Sequence, residues 1–111
     1  MRFFGLKSCD TCRKARKAMT EAEVDFTVID VRDDGIPEQD LVLIVDTFGD
    51  KAINRASTTW RALDDTEKQQ DTLALLRAHP TLLKRPVIDT GNGLTQGWKA
   101  DVQAQVLGDR A

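Results

Sequence analysis

Cys9 and Cys12 are the only thiols in the chain, and Asp10 and Thr11 between them make the spacing C-x-x-C. They follow an apolar run, Phe3-Phe4-Gly5-Leu6, and open a segment of helical periodicity, so a strand, a turn and a helix are expected here. A thiol in the first turn of a helix lies among backbone N–H groups that have no intrahelical partner. It also sits at the positive end of the helix dipole, which favours the thiolate. Lys7, Arg13, Lys14, Arg16 and Lys17 add positive charge nearby, although only those that turn toward the sulfur matter. Cys9 is therefore the candidate nucleophile. Cys12, one helical turn later, has two readings: a resolving thiol able to form a disulfide with Cys9, or a small buried apolar residue on the inner helix face. With no further cysteine and with His79 as the single histidine, a four-ligand Cys/His zinc site requires carboxylates, and no metal is expected.

The elements that must position these thiols follow from pattern. A helix over about 10–23 carries Cys12, Ala15, Met19 and Ala22 on one stripe. Residues 25–31 (DFTVIDV) read as a strand covered on both faces, because their apolar character is nearly continuous. Strand, helix and strand then make a parallel unit. Asp33-Asp34-Gly35 is turn material, and Pro37 suits the first position of a helix carrying Leu41, Ile44, Val45 and Phe48 and ending at Gly49. Short helical turns anchored by Ala52, Ile53, Trp60 and Leu63 are expected over 50–65. Asp65 or Thr66 then caps one helix running to about Ala78, which Pro80 ends. Residues 84–89 and 94–97 flank the turn Thr90-Gly91-Asn92-Gly93 as a hairpin, and 99–107 close the chain as a helix through Val102 and Val106.

The bounds are those of one ordinary domain. The 111 residues can bury a single core without disulfides, and a formal net charge of −2 provides no field that draws nucleic acid or anionic lipid. The N-terminus shows neither a signal-peptide core nor an apolar stretch of membrane-spanning length. A cytoplasmic monomer is expected, in a compartment where a cysteine pair is more often catalytic or sensing than structural.

The order of elements, with C-x-x-C at a helix start and X-Pro before a hairpin, resembles the thioredoxin-like α/β fold: a mixed four-stranded sheet with an all-helical insertion, here about 37–83 within a single domain 1–111. More closely the chain resembles the ArsC-like family, which includes glutaredoxin-dependent arsenate reductases, Spx regulators and YffB-type proteins. The residues that carry this are Cys9-Asp10-Thr11 with Arg13-Lys14-Ala15, Asp30 with Arg32 and Gly35, Asn54, Thr58-Thr59-Trp60-Arg61 with Leu63, His79-Pro80 with Leu82-Leu83-Lys84-Arg85-Pro86, and Gly97-Trp98.

Each branch implies something different. In the arsenate reductases one cysteine attacks arsenate and arginines hold the oxyanion. Cys9 and Arg85 match, but Lys51 and Trp98 fall where two further arginines stand. Lysine does not replace a bidentate guanidinium, which argues against efficient arsenate reduction. In Spx the cysteine pair is a disulfide switch and the protein binds the RNA polymerase α subunit; the long basic C-terminal extension of Spx has no counterpart after 99–107. The YffB-type pattern fits best and implies a glutathione-dependent thiol reductase, with glutathione as co-substrate, no tightly bound cofactor, and a glutaredoxin or thiol substrate as partner. The alternatives are an Spx-like redox-switched regulator or a true arsenate reductase. The resemblance also implies that Arg85-Pro86 is a cis peptide facing the active cysteine.

The expected catalytic residues are thus Cys9, Cys12 and Arg85, and the expected substrate-binding residues are Lys7, Arg13, Lys51, Arg85 and Pro86. Arg85 has a second reading as a surface arginine pairing with Asp10 or Asp89. His79 reads as a helix-terminal histidine bonded to the last carbonyls, and Trp60 and Trp98 read as packing anchors.

Overall fold

The computed structural model describes residues 1–108; the last three residues of the expected domain, 109–111, lie outside them. The chain divides into two compact units, one formed by Met1–Asp30 with the described residues from Arg85 onward, the other by Val31–Lys84.

The first unit is built on a four-stranded mixed sheet of β1 (Arg2–Gly5), β2 (Thr27–Asp30), β3 (Val87–Asp89) and β4 (Leu94–Gln96), in the order β2-β1-β3-β4. β2 runs parallel to β1, whereas β3 and β4 form the expected antiparallel hairpin with β3 also antiparallel to β1. Two helices complete the unit, α1 (Asp10–Glu21) and, last in the chain, α6 (Ala100–Leu107). Strand residues alternate between faces. Phe3 and its register partner Ile88 therefore share one face, where they form a core with Cys12, Ala15 and Met19 of α1 and Val102, Val106 and Leu107 of α6. Phe4 and Val87 share the opposite face and are likewise fully buried.

β2 corrects one expectation. It is an edge strand, and Thr27 and Val28 are exposed, Val28 to 39%. Its run of β-branched residues suits an extended backbone at a sheet edge as well as at a centre, because propensity reports conformation and not the number of covered faces.

The second unit is helical: α2 (Glu38–Phe48), α3 (Thr58–Ala62), α4 (Asp65–Lys68) and α5 (Thr72–Ala78), with short 3-10 turns at Gly49–Ala52 and Pro80–Leu82. Pro37 caps α2 from outside instead of opening it, and Gly49 ends α2 with a φ of 58°, a conformation that favours glycine. The single helix expected up to Ala78 is two. Asp64 forms a capping box with Glu67 at the start of α4. Asp71 accepts from the Ala74 N–H at the start of α5, so two aspartates, each able to satisfy orphan N–H groups, start two helices where periodicity alone suggested one. The His79 side chain lies 3.4 Å from the Glu67 carboxylate, in place of the expected bond to terminal carbonyls; the backbone N–H of His79 closes α5 on Leu75.

Removing the Asp71 cap by Asp71→Ala is expected to lower stability by about 1 kcal/mol. Ile88→Ala, which opens a cavity in the first unit's core, is expected to cost about 2–5 kcal/mol. Urea denaturation followed by far-UV circular dichroism measures both, and equal midpoints for the two variants would contradict this ranking.

Candidate active site

The path from β1 to α1 is short and tied at several points. Gly5, the last residue of β1, pairs in register with Asp30 of β2. The Asp30 carboxylate is buried and accepts the Lys7 backbone N–H at 3.2 Å, and the Cys9 N–H returns to the Leu6 carbonyl at 3.3 Å. These bonds hold the turn that delivers Cys9 to the N-cap position of α1, where its backbone is extended (φ −83°, ψ 122°). Its sulfur does not close on a backbone N–H as an oxygen cap would, but the Cys12 N–H, three residues into the helix, still directs positive charge at it.

Both cysteines are free thiols, Cys9 partly exposed and Cys12 buried. Partial burial opposes the ionisation of Cys9. The Cys12 backbone N–H, the Cys12 thiol and the Arg85 guanidinium together outweigh it and hold Cys9 below the usual thiol range. Cys12 goes the other way: burial first, then its neighbour Cys9, push it up to about 12, against a contact from the Leu6 backbone N–H and the field of Arg85. One sulfur is thus prepared to be an anion at the surface and the other to remain a thiol beneath it.

Arg85 comes from the step before β3, and the Arg85-Pro86 peptide is cis, as the resemblance implies. The Pro86 carbonyl accepts the Gly97 N–H at 2.9 Å, fixing this step to the end of β4. The two aspartates weighed as partners of Arg85 each carry a bond to another arginine. Asp10 pairs with Arg13 within the first turn of α1. Asp89 bonds Arg2 at 2.7 Å and also accepts the Gly91 N–H, which hold its carboxyl below the usual range.

The remaining sequence candidates fall in different places. Lys7 contributes its backbone to the turn while its residue is exposed. Arg13 is exposed and its charge is offset by Asp10 at the same helix turn. Arg16 reaches the Leu6 carbonyl at 3.3 Å and lies over the Phe3 ring, so it braces the strand-helix junction. Lys51 is an exposed residue of the Gly49–Ala52 turn in the second unit. Trp98 packs against the first unit's core, and Trp60 in the second lies beneath Arg55 and Lys68. Two residues that matter here were not singled out from their types, Asp30 and Gly5. A glycine closing a strand immediately before a thiol-bearing turn is a signal of close backbone approach. The bond from Asp30 to the turn has no such signature.

The chain matches the ArsC family over residues 4–106. It belongs to the ArsC family. An uncharacterized protein of Haemophilus influenzae is 38% identical to it over 90 residues, covering 77% of this chain and 79% of that one. The global transcriptional regulator Spx of Bacillus subtilis is 31% identical over 100 residues, covering 85% and 76% of the two chains. Among solved structures, the YFFB protein is 32% identical with a TM-score of 0.85, covering 96% of this chain and 98% of the other. An arsenate reductase from Vibrio cholerae, 17% identical, shares the fold with a TM-score of 0.69. This ArsC-family chain therefore has the family's thioredoxin-like fold, and the relatives it resembles in sequence include a transcriptional regulator. No helix among its described residues is long and apolar enough to cross a membrane.

The balance at Cys9 predicts its reactivity. For a thiol whose pKa is depressed, the reactive anion is present above that pKa and is lost as pH falls through it. The alkylation rate at Cys9 is expected to reach half its plateau below the free-cysteine value of about 8.5. Arg85→Ala is expected to move that midpoint upward, with Cys12 unreactive throughout. Iodoacetamide kinetics against pH, read by peptide mass, measures this; an unmoved midpoint in Arg85→Ala would remove Arg85 from the site.

Proposed function

We propose that this chain is a cytoplasmic thiol-dependent oxidoreductase that uses the Cys9 thiolate as nucleophile and glutathione as co-substrate. The observation that carries the reading is the asymmetry of the cysteine pair: a partly exposed sulfur whose pKa Cys12 and Arg85 lower, beside a buried sulfur whose pKa burial raises. That asymmetry suits an attacking and a resolving thiol.

The Cys9 thiolate attacks one sulfur of a substrate disulfide, forming a new S–S bond and expelling the other sulfur as a thiolate, which takes a proton from water. A glutathione thiolate then attacks the Cys9 sulfur of this adduct, releasing the second substrate thiol and leaving glutathione on Cys9. A second glutathione attacks the glutathionyl sulfur, restoring the Cys9 thiolate and yielding oxidised glutathione. Two glutathiones thereby reduce one disulfide by two electrons. In the alternative branch Cys12 attacks the Cys9 sulfur in the first adduct, passing its proton to the departing substrate thiolate, and two glutathiones reduce the resulting Cys9–Cys12 disulfide. Arg85 holds negative charge at Cys9 and at an incoming carboxylate. A single guanidinium there supports thiol chemistry more than a three-arginine clamp on arsenate.

A second reading, a redox-switched regulator that binds the RNA polymerase α subunit, draws support from the likeness to Spx and uses the same two sulfurs as a switch. Turnover separates the two. With a glutathione mixed disulfide as substrate, Cys9→Ser is expected to abolish reduction, and Cys12→Ser to retain a measurable fraction because glutathione resolves from solution. Complete loss in both variants would instead require an obligatory dithiol cycle. Absence of turnover in the unmodified protein, with retention of polymerase on an affinity column, would favour the regulator.

A further inference from the structure

We propose that Gly5 is a positioning residue for the Cys9 thiolate: its missing side chain leaves the space at the end of β1 in which the Cys12 sulfur lies beneath Cys9. The proposal rests on Cys9 being the working thiol and adds what holds that thiol's neighbour in place.

Gly5 ends β1 on the face that α1 covers, two residues after Phe3. A Cβ built on Gly5 would lie 2.8 Å from the Cys12 sulfur and 2.7 Å from the edge of the Phe3 ring. A Cβ does not come that close to a carbon or sulfur to which it is not bonded, so an alanine here must displace something. Both neighbours are at 0% exposure, which leaves neither an open side into which to move. Every other glycine in the described chain has open space where its Cβ would stand and a positive φ. Gly5 alone is glycine for reasons of room and not of backbone conformation.

The sulfur that occupies this room belongs to the same helical turn as Cys9. Cys12 stands in the first turn of the helix that Cys9 caps, so the buried sulfur follows the surface one by three residues; the Leu6 backbone N–H favours the Cys12 anion, and the Cys12 thiol favours that of Cys9. Strand end, buried sulfur and surface sulfur therefore form one continuous stack. A thiol donor held in place stabilises an adjacent thiolate, and the stabilisation falls steeply as the donor moves away. Displacing the Cys12 sulfur by the width of a methyl group would break that stack at its base while leaving Arg85 and the helix start unchanged in sequence.

The test is a cycle of Gly5→Ala and Cys12→Ala in the full chain, with the pH midpoint of Cys9 alkylation as readout and thermal melting as the control for folding. Gly5→Ala is expected to raise the Cys9 midpoint by about one pH unit, the order of effect of losing one hydrogen bond to a charged group. Cys12→Ala is expected to raise it similarly, and in the Cys12→Ala background Gly5→Ala is expected to add nothing. Any loss of melting temperature caused by Phe3 is common to both backgrounds, whereas the midpoint shift is not. An unmoved midpoint in folded Gly5→Ala or in Cys12→Ala, or an equal further rise in the double variant, overturns the proposal. If Gly5→Ala does not fold, the double variant carries the test. Removing the Cys12 sulfur is expected to restore folding, and a double variant that stays unfolded assigns the need for glycine to Phe3 alone and overturns the proposal. Because alkylation needs no substrate, a protein that shows this cycle without glutathione turnover would retire the reductase reading and leave the role of Gly5 standing.

Discussion

Ionising a sulfur that is partly removed from water carries a desolvation cost, and the groups around Cys9 must offset it with fixed positive charge. Three groups do so: the backbone N–H and the thiol of Cys12, both in the first turn of α1, and the guanidinium that precedes β3. The parallel pairing of β1 with β2, the antiparallel pairing of β1 with β3, and the packing of α1 on the Phe3 and Ile88 face are together what make them converge.

Exposed cations around the C-x-x-C stretch contribute less than their number implies. Arg13 is compensated by Asp10 one turn away, Arg16 is drawn to the Leu6 carbonyl and the Phe3 ring, and Lys7 participates through its backbone. A solvated charge a few ångströms from a thiolate is screened by water and free to rotate away, whereas Arg85 is held by the Pro86 to Gly97 backbone bond at the root of the hairpin. Position in a rigid framework, more than count, decides which cation tunes the sulfur.

The two sulfurs divide a single chemical property between them. Burial that would make either a poor nucleophile acts mainly on Cys12, and Cys12 in its protonated form then helps to lower the pKa of Cys9. This coupling links core packing to reactivity: a change in the close-packed contact among Gly5, Phe3 and Cys12 is a change in the chemistry at the surface.

Local chemistry was legible in the chain. The C-x-x-C pair after an apolar run, the helical stripe of Cys12, Ala15 and Met19, the hairpin around the glycine-rich turn, and a proline before β3 each act within a few residues, where periodicity and turn preference have a direct physical cause. Propensity was a poorer guide where two local solutions competed. Asp64 and Asp71 start separate helices over a stretch whose pattern fits one, and the strand rich in β-branched residues is an edge strand because its partners number one and not two. The chain's own pattern did not decide which charge meets the thiolate; the family resemblance pointed to Arg85, and the tertiary structure supplies the reason. Cys9 and Arg85 are separated by most of the chain, with five cations nearer in sequence, and it is the sheet order that brings β3 beside β1. Tertiary structure also decided which atoms crowd Gly5: a glycine at that strand end signals close approach, but its neighbours across the strand–helix contact are set by register and packing, which a single chain's pattern does not encode.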